Sequence, residues 1–248
     1  MLTNRRIWLN HFEYHAQQPR GAASGSLSAL RLEERRLIAR SIATFQLGEQ
    51  SDGTGLLRAA RRFAAVHGDE LLPRITELFI REEQRHARLL REFMEEHGIR
   101  PKYRHWSDSL FRRIRRLAGF ELYLHVLIAA ELIGNVYYRA LESVTTCQRL
   151  RHLCRTLIAD ELAHVGYESE LILELRARKP SLLRTPIRLT HRAFFCVAVG
   201  AVWVSHRAVL HRAGHSAAEF LRRCLEQYSF HLDPPAEWAA AAAESRRG

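Results

Sequence analysis

The chain is poor in the residues that punctuate or cross-link a fold. Its 248 residues include only seven prolines and thirteen glycines, few for the many turns of a β-sandwich and better suited to long helices. Four cysteines, Cys147, Cys154, Cys196 and Cys224, are scattered with no C-x-x-C pair. That argues against a zinc ribbon, a rubredoxin site and a secreted disulfide scaffold. The longest apolar run, AFFCVAVGAVWV at 193–204, is shorter than the roughly 20 residues that span a bilayer. No apolar segment with a small-residue cleavage site opens the sequence, which argues against a signal peptide and makes a cytoplasmic location the expectation. The apolar (47%) and charged (26%) fractions are those of an ordinary globular protein, so disorder, collagen and coiled-coil arrays are disfavoured. The formal charge of +11 comes almost entirely from arginine. Such a surface attracts phosphates, acidic metabolites, anionic headgroups or nucleic acid without choosing among them.

What is present is helical periodicity. Residues 1–28 read as an irregular N-terminal arm with aromatic anchors Trp8, Phe12 and Tyr14, ending in a Pro/Gly/Ser-rich stretch. From Leu30, apolar residues recur at three- and four-residue steps to a stop at Gly68, with Gly53 and Gly55 inside. Each glycine costs a helix about 1 kcal/mol relative to alanine. They mark either close approach of a neighbouring helix or a break at 51–55. A second helix is expected from Asp69 to Gly98, with Pro73 just inside its start. A polar connection and a short basic helix at 109–117 follow, then long helices over 118–144 and 148–178. Beyond Pro186 come an apolar helix to about His211, a turn at Gly214 and a helix from Ser216 to about Tyr228. Nothing alternates as a strand does, so the fold class is all-α. Domain boundaries fall at 1–28 (arm), 29–178 (four-helix bundle), 179–232 (C-terminal helices packed on it) and 233–248 (tail).

Two Glu-x-x-His pairs carry the chemistry, Glu83/His86 in REEQRHARLL and Glu161/His164 in ADELAHVGYE. With 22 glutamates and 14 histidines, about one such pair arises by chance, and most are only surface contacts. Placement separates these two, since each lies mid-helix beside apolar residues (Leu78, Phe79 and Leu90; Leu157, Ile158 and Leu162). The helix before each pair carries a lone glutamate on its apolar face, Glu49 and Glu131. Four carboxylates and two imidazoles in one core are untenable as bare charge, and a dinuclear cation resolves the cost. Glu131 lies 15 residues before the turn near Thr146 and Glu161 lies 15 after it, which sets them at equal depth. In the first hairpin the two sides of Gly68 differ by about 6 Å, a mismatch that a kink in the glycine-containing segment is expected to absorb.

Glu, Glu-x-x-His, Glu, Glu-x-x-His on successive helices resembles the ferritin-like di-iron carboxylate superfamily over roughly residues 30–178. The resemblance implies a four-helix bundle with one long crossover through 98–117. It implies two iron ions per chain (Fe/Fe, with Mn/Fe open), Glu49 and His86 serving one, Glu131 and His164 the other, and Glu83 and Glu161 bridging. It further implies that Glu82 and Asp160, each preceding a bridging position, accept the Nδ1–H of the histidine across the site. The absence of a four-cysteine module disfavours a rubrerythrin-like peroxidase. The second histidine motif and the chain length disfavour iron storage. What remains resembles the oxidase and oxygenase branch, which uses O2, a small-molecule substrate and electrons from a separate reductase.

Phe45, Phe79, Leu127 and Leu157 each lie four residues before a ligand glutamate and are expected to line a substrate cavity, or else to be core. Gln46 and Asn135 are candidate contacts to the site, or satisfied core amides. Tyr137, Tyr138 and Tyr167 are read as packing residues with hydrogen-bonded hydroxyls, and His191, His206, His211 and His215 as structural or surface. Arg112, Arg113, Arg115 and Arg116, after Arg100, Lys102 and Arg104, form either a solvated helix face or a dock for an acidic carrier protein, a reductase, lipid headgroups or tRNA. The 193–204 helix covers the bundle, pairs two subunits in a homodimer, or lies at the inner face of a membrane. The leading expectation is an O2-dependent di-iron oxidase or oxygenase acting on a small, largely apolar or lipid-like metabolite. An iron-binding or ferroxidase protein without organic substrate, and a tRNA-modifying di-iron hydroxylase, are the alternatives.

Overall fold

The computed structural model describes residues 2–17, 30–50, 53–103 and 119–233. Among them are eight α-helices and no strand: α1 (Leu2–Gln17), α2 (Leu32–Glu49), α3 (Thr54–His67), α4 (Leu72–Glu96), α5 (Phe120–Ser143), α6 (Gln148–Arg178), α7 (Ser181–Arg212) and α8 (Ala217–Leu232). The basic cluster Arg112–Arg116, most of the crossover and the 239–248 tail lie outside the described residues.

Paired contacts give the helix directions. Glu82 meets His164, His86 meets Asp160, and Glu96 meets Arg149, so α4 and α6 are antiparallel. Glu142 meets Arg155 and Glu131 meets His164, so α5 and α6 are antiparallel as well. Arg35 at the start of α2 bonds the Gly98 carbonyl just past the end of α4, which sets these two antiparallel. Helices α2 and α6 therefore run one way, α4 and α5 the other.

The long helix read across 30–68 is broken. It ends at Glu49, and α3 restarts after Gly53, whose φ of +67° is a conformation side-chain-bearing residues rarely adopt. The break, rather than a kink, separates the two halves, and both pack on α4. Helix α6 has the expected bounds, and α4 and α5 match to within a few residues. Helix α7 starts earlier than expected and carries Pro186 inside it. Proline there removes only one donor, near the helix start and at an exposed position.

The irregular arm expected at the N-terminus is a helix over 2–17. It lies parallel to α4 and antiparallel to α6, in the groove between them. Arg5, 4% exposed, pairs with Asp69 and Glu174 at 2.8 Å each. The Trp8 indole donates to Glu170, and a Cβ on Gly166 would stand only 3.0 Å from the Trp8 ring. Phe12 is fully buried, and Tyr14 is exposed and anchors nothing.

Apolar side chains form two buried clusters. One gathers Phe12, Phe79, Ile128, Leu132, Ile172 and Phe195; the other gathers Ile38, Ile42, Leu90, Phe93, Tyr138 and Leu157. Two helices, α5 and α7, are long and apolar enough to cross a membrane, so the shortness of the 193–204 run understated α7. Most of α5 is buried in the bundle, whereas α7 exposes Leu182, Leu189, Val197 and Val204 along one side.

Candidate metal centre

Helices α4 and α6 cross with their Glu-x-x-His turns face to face. Ligating atoms of Glu83, His86, Glu161 and His164 all lie within 4.8 Å of one another. His86 Nδ1 is 3.4 Å from Glu83 Oε1 and 3.3 Å from Glu161 Oε1. His164 Nδ1 is 3.0 Å from Glu83, 3.4 Å from Glu131 and 3.5 Å from Glu161. Glu83 and Glu161 thus touch both imidazoles, Glu131 sits on the His164 side, and the ring centroids are 5.5 Å apart. Glu49, the last residue of α2, lines the same cavity as the other three glutamates and accepts a 2.8 Å hydrogen bond from the Tyr138 hydroxyl.

Both Nδ1 atoms, Glu83 Oε1, both Glu131 oxygens and Glu161 Oε2 are buried with no hydrogen bond among the described residues. Buried polar atoms ordinarily find partners. Here they point at each other instead, which is the donor set a cation satisfies.

The opposite ring nitrogens are satisfied. His164 Nε2 lies 3.2 Å from Glu82, and His86 Nε2 lies 3.3 Å from Asp160. A carboxylate only accepts, so each Nε2 carries a proton, and Nδ1 is the nitrogen that would offer its lone pair to a metal in place of a second proton. The expected crossing of partners is present with the ring nitrogens exchanged, Nε2 donating where Nδ1 was expected. Arg85 bonds Glu82 at 2.6 Å and Asp160 at 2.7 Å, so one guanidinium spans the outer pair and offsets part of its charge. His15 of α1 comes within 3.4 Å of Glu82, and the Phe12 ring stands 5.8 Å from His164. Helix α1 therefore closes the outer side of the centre.

Electrostatics report a core short of positive charge. Burial and repulsion from Glu83 and Glu161 raise Glu49; burial and Glu161 raise Glu131. Burial alone would lower both histidines, yet the surrounding carboxylates hold them well above the usual imidazole range. Burial works against ionised Glu82, but His164 and Arg85 hold it down at about 2. Protons on the imidazoles compensate the acids where a metal would.

An apolar cavity of about 830 Å³ opens from the centre, and Glu49, Glu83, Glu131 and Glu161 line its inner end. Phe45, Phe79 and Leu127 line it as expected. Leu157 does not: it is fully buried in the second apolar cluster, because α6 presents only Glu161 to the cavity. Leu162, read as inward, is 47% exposed. Asn135 is turned away, its Oδ1 accepting from Arg139. Gln46 is buried and does not reach the cavity.

One residue of the site, Glu168, carries no role in the sequence pattern as read above, and Tyr138 and His206 lie closer to the centre than their expected roles required. Glu168, one turn beyond His164, is 1% exposed, and neither of its oxygens has a hydrogen bond among the described residues. Its signal is the spacing Glu161-x-x-His164-x-x-x-Glu168, which extends the inward face of α6 by a turn. Tyr138 is the expected packing residue with a hydrogen-bonded hydroxyl, and the partner of that hydroxyl is Glu49. His206, read as structural or surface, lines the cavity and shares Ser41 Oγ with the Tyr137 hydroxyl, at 2.7 Å each. Among family models, curated proteins and solved structures, none matches this chain. What the structure shows is an all-α bundle with a buried carboxylate–histidine cluster fit to hold metal.

Proposed function

We propose that the chain is an O2-dependent di-iron oxidase or oxygenase of the ferritin-like class, acting on a small, largely apolar or lipid-like metabolite. The observation that carries this is the convergence of Glu83, His86, Glu161 and His164 at the inner end of a large apolar cavity. Parallel α4 and α5 require a connection that returns along the bundle, which supports the one-crossover topology. Carboxylate oxygens with two imidazoles suit iron or manganese. Glu49 and His86 would hold one ion, Glu131 and His164 the other, with Glu83 and Glu161 between them.

Two reduced irons held there would supply the electrons for O2 chemistry, replenished by a separate reductase. The chain's own residues position and protect. Glu82 and Asp160 fix the imidazole tautomers, Tyr138 orients Glu49, and Phe45, Phe79 and Leu127 keep the reacting side dry. Location in the cytoplasm or against the inner face of a membrane is part of the same reading, supported by the apolar side of α7.

The test is anaerobic reconstitution followed by exposure to O2. The proposal expects about two iron per chain and, with reductant and an apolar substrate, O2 uptake that continues beyond the iron equivalents added. Uptake that stops at a fixed ratio to iron, with no organic product, would assign an iron-handling role instead. A folded protein that takes up no metal would end both.

A further inference from the structure

The outer part of the cavity carries charge that the metal reading leaves unused. One face of α3 forms its wall, and Arg58 and Arg62, one turn apart on that face, are exposed and line the cavity. Neither has an ion-pair partner among the described residues. Among the described residues, every acidic one lining the cavity is one of the four glutamates of the centre. Between these poles the wall is apolar, with Ala59 and Phe63 from α3 facing Phe120 and Val126 from α5. The Phe63 and Phe120 rings are 5.2 Å apart. Phe120 lies eleven residues before Glu131 on the same helix, so the arginine-bearing end stands about 16 Å from the centre along α5.

We propose that the ligand of this cavity is an amphipathic anion. Its carboxylate or phosphate head is held by Arg58 and Arg62, and an extended apolar chain runs inward and presents a carbon remote from the head to the centre. This rests on the centre being where reaction occurs. Paired guanidiniums match planar or tetrahedral anions through charge-assisted hydrogen bonds. A neutral ligand would leave both unpaired, and a cationic amine would be repelled.

Binding is measured calorimetrically on the metal-free protein with decanoate, decyl phosphate, decanol and decyltrimethylammonium, all below their micelle concentrations. Decanoate or decyl phosphate binds at least tenfold tighter than decanol, the tighter of the two identifies the head, and the cation does not bind. Octanoate binds roughly tenfold more weakly than decanoate, as loss of two buried methylenes requires. The double variant Arg58→Gln/Arg62→Gln keeps its helical circular dichroism and its binding of decanol, and loses at least tenfold for the anions. Arg58→Lys/Arg62→Lys retains most of it. Anions that bind no better than decanol, or a glutamine variant that binds them undiminished, would overturn the proposal. Anion binding by a protein that takes no metal would fail the reading of the centre alone. Two irons per chain without anion preference would fail this inference alone.

Discussion

His164 Nε2 stands 3.2 Å from Glu82 on the facing helix, and the relationship is repeated by His86 and Asp160 at 3.3 Å. Each acid directly precedes a glutamate of the cluster, Glu83 or Glu161, so one helical turn supplies a carboxylate to the centre and a tether for the imidazole opposite. Outer tethers of this kind typically contribute 10–100-fold to metal affinity. Glu82→Gln and Asp160→Asn should each weaken metal binding by about that factor without abolishing it, measured by competition with a chromophoric chelator. Retained affinity would show that the tethers do not set imidazole orientation.

Glu168 is buried with no hydrogen bond among the described residues, and burial raises its carboxyl well above the ordinary range. A carboxyl raised in the fold stabilises fully below its unfolded value near 4.3, and that stability is lost as pH climbs toward the raised value. Glu168→Gln in the metal-free protein should therefore be more stable than wild type at pH 7, by about 1–3 kcal/mol. The advantage should shrink toward pH 4. Urea unfolding at the two pH values measures it, and an equal difference at both would contradict the account.

Phe12 is 1% exposed and stands edge-on to Phe79 and Tyr167. Phe12→Ala should cost about 3–5 kcal/mol of stability. It should also loosen α1 from the outer side of the centre and speed removal of iron by a chelator. Unfolding curves and stopped-flow chelation check the two effects separately.

The His125 and His191 rings lie 4.0 Å apart and tilted by 52°, against Tyr228 of α8. Burial, then Arg176 and Lys179, push His125 down to about 4; burial, then His125, push His191 down to about 3. Both are neutral in the fold, whereas unfolded imidazoles take a proton near 6.5. The folded state then binds fewer protons than the unfolded, so stability is unaffected above about 6.5 and falls as pH drops toward 4. Unfolding of the metal-free protein at pH 7.5 and 5 should show a loss of about 1–2 kcal/mol for each histidine. His125→Phe/His191→Phe should flatten it, and an unchanged pH dependence in that variant would assign the loss to other groups.

The candidate centre was legible because it is built from helical periodicity. Glutamate and histidine three apart, set among apolar residues, define a face without any knowledge of the partner helix. Helix α1 was not legible because polar residues alternate with Trp8, Leu9 and Phe12 on the face it turns inward: Arg5 is buried and His15 half-buried through ion pairs and close contacts that exist only in the fold. Leu157 and Asn135 failed for a related reason. Spacing places a residue one turn from a ligand but does not say that α6 turns that side to the second apolar cluster, or that Arg139 captures the amide. The arginine pair on α3 needed the helix break at Gly53 before its cavity face could be recognised.

X-ray absorption of the anaerobically reconstituted protein addresses the central claim most directly. The account predicts a nitrogen and oxygen ligand shell and a second iron at about 3.5–4 Å, both lost in Glu83→Ala and Glu161→Ala. Iron with no neighbouring iron, or a signal that persists in both variants, would contradict it.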